Sequence, residues 1–127
     1  MRNIIVTIIA VLFVLLNAAA WNELRADTLK ETEEKLRFYT ACNLAMQDDF
    51  TYWADSYRDK KMAMNTRSWS LGMLAKHRRA MDNPTRANIA ERSAALAYER
   101  TTLDTKQTVA VICKVRHNEY TRLMKGN

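Results

Sequence analysis

Residues 29–57 read LKETEEKLRFYTACNLAMQDDFTYWADSY, and their spacing decides the fold class. Leu29, Thr32, Leu36, Tyr39, Cys42, Met46, Phe50, Trp53 and Tyr57 recur every three or four residues. Placed at about 100° per residue they line one stripe, which predicts an amphipathic helix of roughly eight turns. Lys30, Glu33, Arg37, Asp48 and Asp55 occupy the far side. Asp27 or Thr28 is placed to cap the start, with Glu31 reaching back. An aromatic-rich stripe of this kind serves core packing before it serves as a partner groove.

Downstream the pattern weakens between Lys60 and Ser68 and then resumes. Asn65-Thr66-Arg67-Ser68 offers capping side chains for a second helix through Trp69, Met73, Leu74 and Met81, ending near Asp82. Gly72 inside that helix is mildly destabilising and reads as a mark of close packing. Asn83-Pro84 pairs a cap with a first-turn proline. It opens a third helix over Ile89, Leu96 and Leu103, with Ala87, Ala90, Ala94, Ala95 and Ala97 permitting close approach. Thr101–Thr105 is a break, where Asp104 and Gln107 resemble a capping box. The last helix sets Val109, Ile112, Cys113, Tyr120, Leu123 and Met124 on one side. Residues 108–115 would also suit a strand, being β-branched and apolar, but helical spacing continues past Arg116. Two Gly and one Pro leave too few breakers for an all-β fold. The expectation is an all-α fold: a small antiparallel bundle of three to four helices after an N-terminal hydrophobic segment, with residues 21–127 as one domain.

The hydrophobic segment is the strongest clue to location. Ile4 to Leu16 contains one polar residue, Thr7, and is preceded by Arg2 and followed by Ala18 and Ala20. That layout resembles a secretory signal peptide over residues 1–20, cut after Ala20. The competing reading is a membrane anchor over residues 3–22, because an uncharged run of roughly 20 residues can cross a bilayer core. Either reading places the helical domain outside the cytoplasm, periplasmic or secreted in the first case, held at the inner membrane in the second. In an oxidising space Cys42 and Cys113 default to a disulfide. First and last helices are neighbours in an antiparallel bundle, and both carry a cysteine on the apolar face. Closing a loop of this length stabilises a fold by roughly 4 kcal/mol. A bridge between two copies, or two free thiols, are the alternatives.

Charge is unevenly spread. Residues 21–60 hold six Lys/Arg against nine Asp/Glu, whereas residues 61–127 hold thirteen against five. Export argues against nucleic acid as the counter-charge and favours anionic envelope surfaces or acidic proteins. Lys76, His77, Arg78 and Arg79 form a cationic cluster suited to carboxylate or phosphate groups. The same cluster also fits a plain solvated face. The adjacent pairs Glu33-Glu34 and Asp48-Asp49 point about 100° apart on a helix and do not converge on a catalytic centre. Such pairs read as solvated faces. No C-x-x-C-H haem attachment and no metal-ligand spacing occur, so neither catalysis nor a cofactor is expected. A non-covalent haem held by His117 and a Met is the one cofactor arrangement the composition leaves open. The sequence thus points to a small exported, non-enzymatic helical binding protein of the cell envelope, of inhibitor, immunity, lysis-control or adaptor type. Its partner would be an envelope protein or an anionic envelope surface, met through the 76–79 cluster and the third and fourth helices. The competing role is a single-span membrane protein forming a structural subunit of a larger envelope complex.

Overall fold

A computed structural model describes residues 2–126, at 2–4 and 11–27 by backbone alone. Four α-helices follow in order: α1 (Arg2–Asp48), α2 (Tyr57–Met81), α3 (Pro84–Glu99) and α4 (Leu103–Lys125). A π-helical turn, Asp49–Trp53, closes α1. No strand occurs among the described residues, and 108–115 lies wholly within α4. The chain divides into two units, Met1–Glu31 and Thr32–Asn127. In the first, Ile5, Val6, Ile8 and Ile9 are exposed. Among the described residues no helix is long and apolar enough to cross a membrane. The expected cleavage step at Ala18 and Ala20, and most of the 3–22 stretch, lie outside the described side chains.

The second unit is an up-down-up-down bundle, and its cross-helix contacts give each direction. Along α1, Tyr39 and Asn43 meet His77 and Arg67 of α2 in reverse order. Glu33 and Asp48 meet Arg86 and Tyr98 of α3 in the same order. Phe38 and Asp49 meet Arg116 and Lys114 of α4, again reversed. Cys42 and Cys113 are joined, with their Cα atoms 5.6 Å apart. The bond sits in a core of Ala45, Met46, Ala63, Tyr98 and Ala110, with Phe38, Leu44, Trp53 and Val109 packed around it.

The helix boundaries follow local chemistry more than the apolar pattern alone indicates. α1 runs through Asp27 and Thr28, so no free amide end exists there to cap. Its stripe is buried at Thr32, Leu36, Cys42 and Met46. The wider π turn then brings Asp49 inward, at 6% exposure, and leaves Phe50 at 39%. Tyr57, expected to end that stripe, is exposed at the first position of α2. α2 begins eight residues before Asn65, because Ser56 supplies the cap: its Oγ accepts the Asp59 N–H at 3.1 Å. Asp82 ends α2 in the left-handed region, φ 53°, which short polar side chains tolerate. Asn83 caps α3 as expected, its Oδ1 accepting the Arg86 N–H at 3.1 Å with Pro84 next in line. Thr102, rather than Asp104, caps α4 by accepting the Thr105 N–H.

Rotation of the last two helices departs from the expected stripes. Ile89, Leu96 and Leu103 are 64%, 43% and 58% exposed, while Ala87, Ala90 and Tyr98 face inward. Small residues permit the closest helix approach, so the alanine face wins over the bulkier one. On α4, Ala110 and Cys113 are buried, whereas Ile112, Tyr120, Leu123 and Met124 are exposed. The covalent bond at Cys113 fixes that rotation. Gly72 also corrects an expectation: a Cβ there would meet nothing within 4 Å, so this glycine marks no close packing within the chain.

Candidate functional site

The bundle separates the members of the 76–79 cluster. His77 turns inward and stacks on Tyr39, ring centroids 5.5 Å apart and planes 7° from parallel. Arg78 pairs with Glu91 of α3, its Nε 3.0 Å from Oε1. Lys76 and Arg79 remain exposed on α2, and no ion pair engages either among the described residues.

These two cations belong to a longer surface. Eighteen residues make five helical turns, about 27 Å, and they separate Arg58 from Lys76 and Lys61 from Arg79. Both pairs therefore share one side of α2. Arg58, Lys61, Asn65, Ser68, Gly72, Lys76 and Arg79 follow at intervals of three or four, and all seven are exposed. The stripe carries cations at each end, small uncharged residues between them and no carboxylate. Asp59, the one acid on α2, is held at the N-terminal cap, about 100° round from Arg58. In all, α2 carries seven Lys/Arg against that single acid, and α3 is balanced at two against two. The most basic helix is thus the second; the third is not basic, and α4, at five Lys/Arg against two acids, is basic as expected.

At its N-terminal end the stripe borders a groove of about 340 Å³ lined by Phe50, Tyr57, Lys60, Lys61, Met64 and Asn65. Lys61 and Asn65 belong to both features. Lys60 lies over the Phe50 ring, 5.9 Å from its centroid. Tyr57, which lines the groove, is 82% exposed. Tyrosine, as at position 57, is among the residue types enriched at protein interfaces.

Behind the stripe lies an aromatic and histidine layer. Tyr39 meets Trp69 edge-on at 5.3 Å. Trp69 stacks on His117 at 5.2 Å and tilts against Tyr120. His117 Nδ1 is 2.9 Å from the Oγ1 of Thr66, which is fully buried. Burial pushes the pKa of both histidines down, helped at His77 by Lys35 and Lys76. Desolvation of the charged ring is the cause, so both are held neutral at pH 7. His77 Nε2 and Trp69 Nε1 are buried with no hydrogen-bond partner among the described residues.

Three of the four paired carboxylates brace the bundle instead of standing in solvent. Asp48 accepts the Tyr98 hydroxyl at 2.6 Å; burial first, and then this bond, push that phenol's pKa well above its usual value. Asp49 is buried against the Lys114 ammonium. Arg86 binds Glu33 and holds its carboxyl below the ordinary range. Glu34 alone of the four is exposed. Sequence reasoning missed these partners because each lies on another helix. Among the described residues no group of three His, Cys, Asp or Glu is placed to hold a metal ion. No protein family, no curated protein and no solved structure matches this chain.

Proposed function

We propose that the chain is a small exported, non-enzymatic binding protein of the cell envelope, of inhibitor, immunity, lysis-control or adaptor type. It docks an acidic partner protein along the exposed side of α2. The observation carrying this reading is the uninterrupted stripe Arg58, Lys61, Asn65, Ser68, Gly72, Lys76 and Arg79 on a helix fixed in a disulfide-closed bundle. A stapled scaffold presents the four cations at fixed spacing, which lowers the ordering cost of association. The flat middle admits a close partner backbone, and the aromatic groove supplies an apolar anchor at one end. The bond itself is compatible with an oxidising space outside the cytoplasm.

Capture from envelope extract by the purified protein tests this reading. Reversing Lys61, Lys76 and Arg79 to Glu should abolish capture of an acidic protein, and binding of the unaltered chain should weaken steeply with salt. Reversal of Arg92, exposed on α3, should leave capture intact. A triple variant that still captures its partner defeats the proposal.

A second reading has one observation in its favour. Ile5, Val6, Ile8 and Ile9 present exposed apolar surface, which fits a retained N-terminal segment that associates with membrane as part of a larger complex. The intact mass of the exported protein separates the two: loss of residues 1–20 supports secretion, and retention supports the membrane-associated subunit.

A further inference from the structure

The outward side of α4 carries a second stripe, unrelated to the one on α2. Asp104, Thr108, Val111, Val115, Asn118 and Arg122 follow at spacings of four, three, four, three and four, and every one is exposed. This is the heptad rhythm of a helix seam, and its order is symmetric about Cys113. The two valines, 59% and 50% exposed, sit at the centre. Thr108 and Asn118 flank them, and opposite charges stand at the ends. Neither Asp104 nor Arg122 has an ion-pair partner among the described residues.

We propose that this stripe pairs antiparallel with α4 of a second copy. A two-fold axis beside residue 113 sets Val111 on Val115 of the other copy, Thr108 on Asn118, and Asp104 on Arg122. Both ends of the seam then hold an opposite-charge pair. Parallel pairing would set Asp104 on Asp104 and Arg122 on Arg122, which the charges oppose. Ile112, 42% exposed, flanks the valines on one side and meets its own counterpart near the axis. Lys114 flanks them on the other, where two lysines would repel. Its charge is already taken up by Asp49, so the axis stays free of that conflict. The stripe shares no residue with the one on α2.

Sedimentation equilibrium of the full chain tests the inference. The 14.7 kDa chain should associate to twice that mass as concentration rises. Asp104→Arg and Arg122→Asp should each weaken association roughly tenfold, since each turns two weak attractions into repulsions. The double swap Asp104→Arg/Arg122→Asp should restore it, and Val111→Glu should abolish it, with far-UV circular dichroism unchanged throughout. A chain that stays monomeric at every concentration overturns the proposal. So does a dimer indifferent to Val111→Glu, or single variants that the double swap fails to rescue.

Discussion

Two layers one helical turn apart tie α1 to α4, and they hold by different means. At Cys42 and Cys113 the join is covalent and sits among Ala45, Met46, Ala63, Tyr98 and Ala110. At Tyr39, Trp69, His77 and His117 it consists of stacked and edge-on rings and one hydrogen bond to Thr66. The covalent layer contains nothing that titrates near neutral pH, and its strength depends on oxidation. The ring layer ignores redox conditions and depends on two imidazoles staying uncharged. A small bundle thereby divides its stability between one element sensitive to reductant and another sensitive to acid.

The largest effect should come from breaking the first layer. Replacing Cys42 and Cys113 together by Ser should lower unfolding free energy by about 4 kcal/mol, mostly by freeing a loop of about 70 residues in the unfolded chain. Denaturant titration measures this, and a loss below about 1 kcal/mol would show that the bond adds little. Next in size is Trp69→Ala, which removes the ring shared by Tyr39, His117 and Tyr120. Its cost should be about 3 kcal/mol, at the lower end for a large aromatic because Trp69 is only half-buried. The disulfide should remain formed in this variant, as intact mass under non-reducing conditions would show.

The smallest effect sharpens the contrast. Both histidines have folded pKa values below the unfolded value of 6.5. As pH falls below 6.5 the unfolded chain therefore binds protons that the folded chain refuses, and stability declines. Above 6.5 their contribution is fully present. Melting temperature should drop between pH 6.5 and 5, before the Glu33–Arg86 pair begins to lose its carboxylate. His77→Gln/His117→Gln should flatten that slope. The Cys42→Ser/Cys113→Ser variant should melt lower but keep the slope unchanged; a slope that vanished with the disulfide would merge the two layers into one.

Much of the architecture was legible in the chain. The 29–46 stripe, the Asn83-Pro84 cap and the break near Thr101 mark three of the four helices, and two cysteines on the first and last helices identified their contact. Rotation was not legible. On α3 and α4 the larger apolar residues, Ile89, Leu96, Ile112 and Leu123, face outward while alanines face in, and a hydropathy pattern weights the larger side chains. The start of α2 was hidden because Ser56, a single capping hydroxyl, is a weaker signal than the polar run 65–68. That error concealed the candidate site as well. With α2 begun at residue 65, Arg58 and Lys61 lie outside the helix, and nothing places them in line with Lys76 and Arg79.

The link between Cys42 and Cys113 also bears on resistance to proteolysis. Both interhelical corners after α2, at Asp82-Asn83 and at Arg100–Thr102, lie inside the loop it closes. A cut at either corner would leave the fragments as one covalent molecule, still held by the burial of Leu36, Met46 and Met81. Clipped protein would migrate as a single species until reduced, and either corner can be severed without α1 parting from α4.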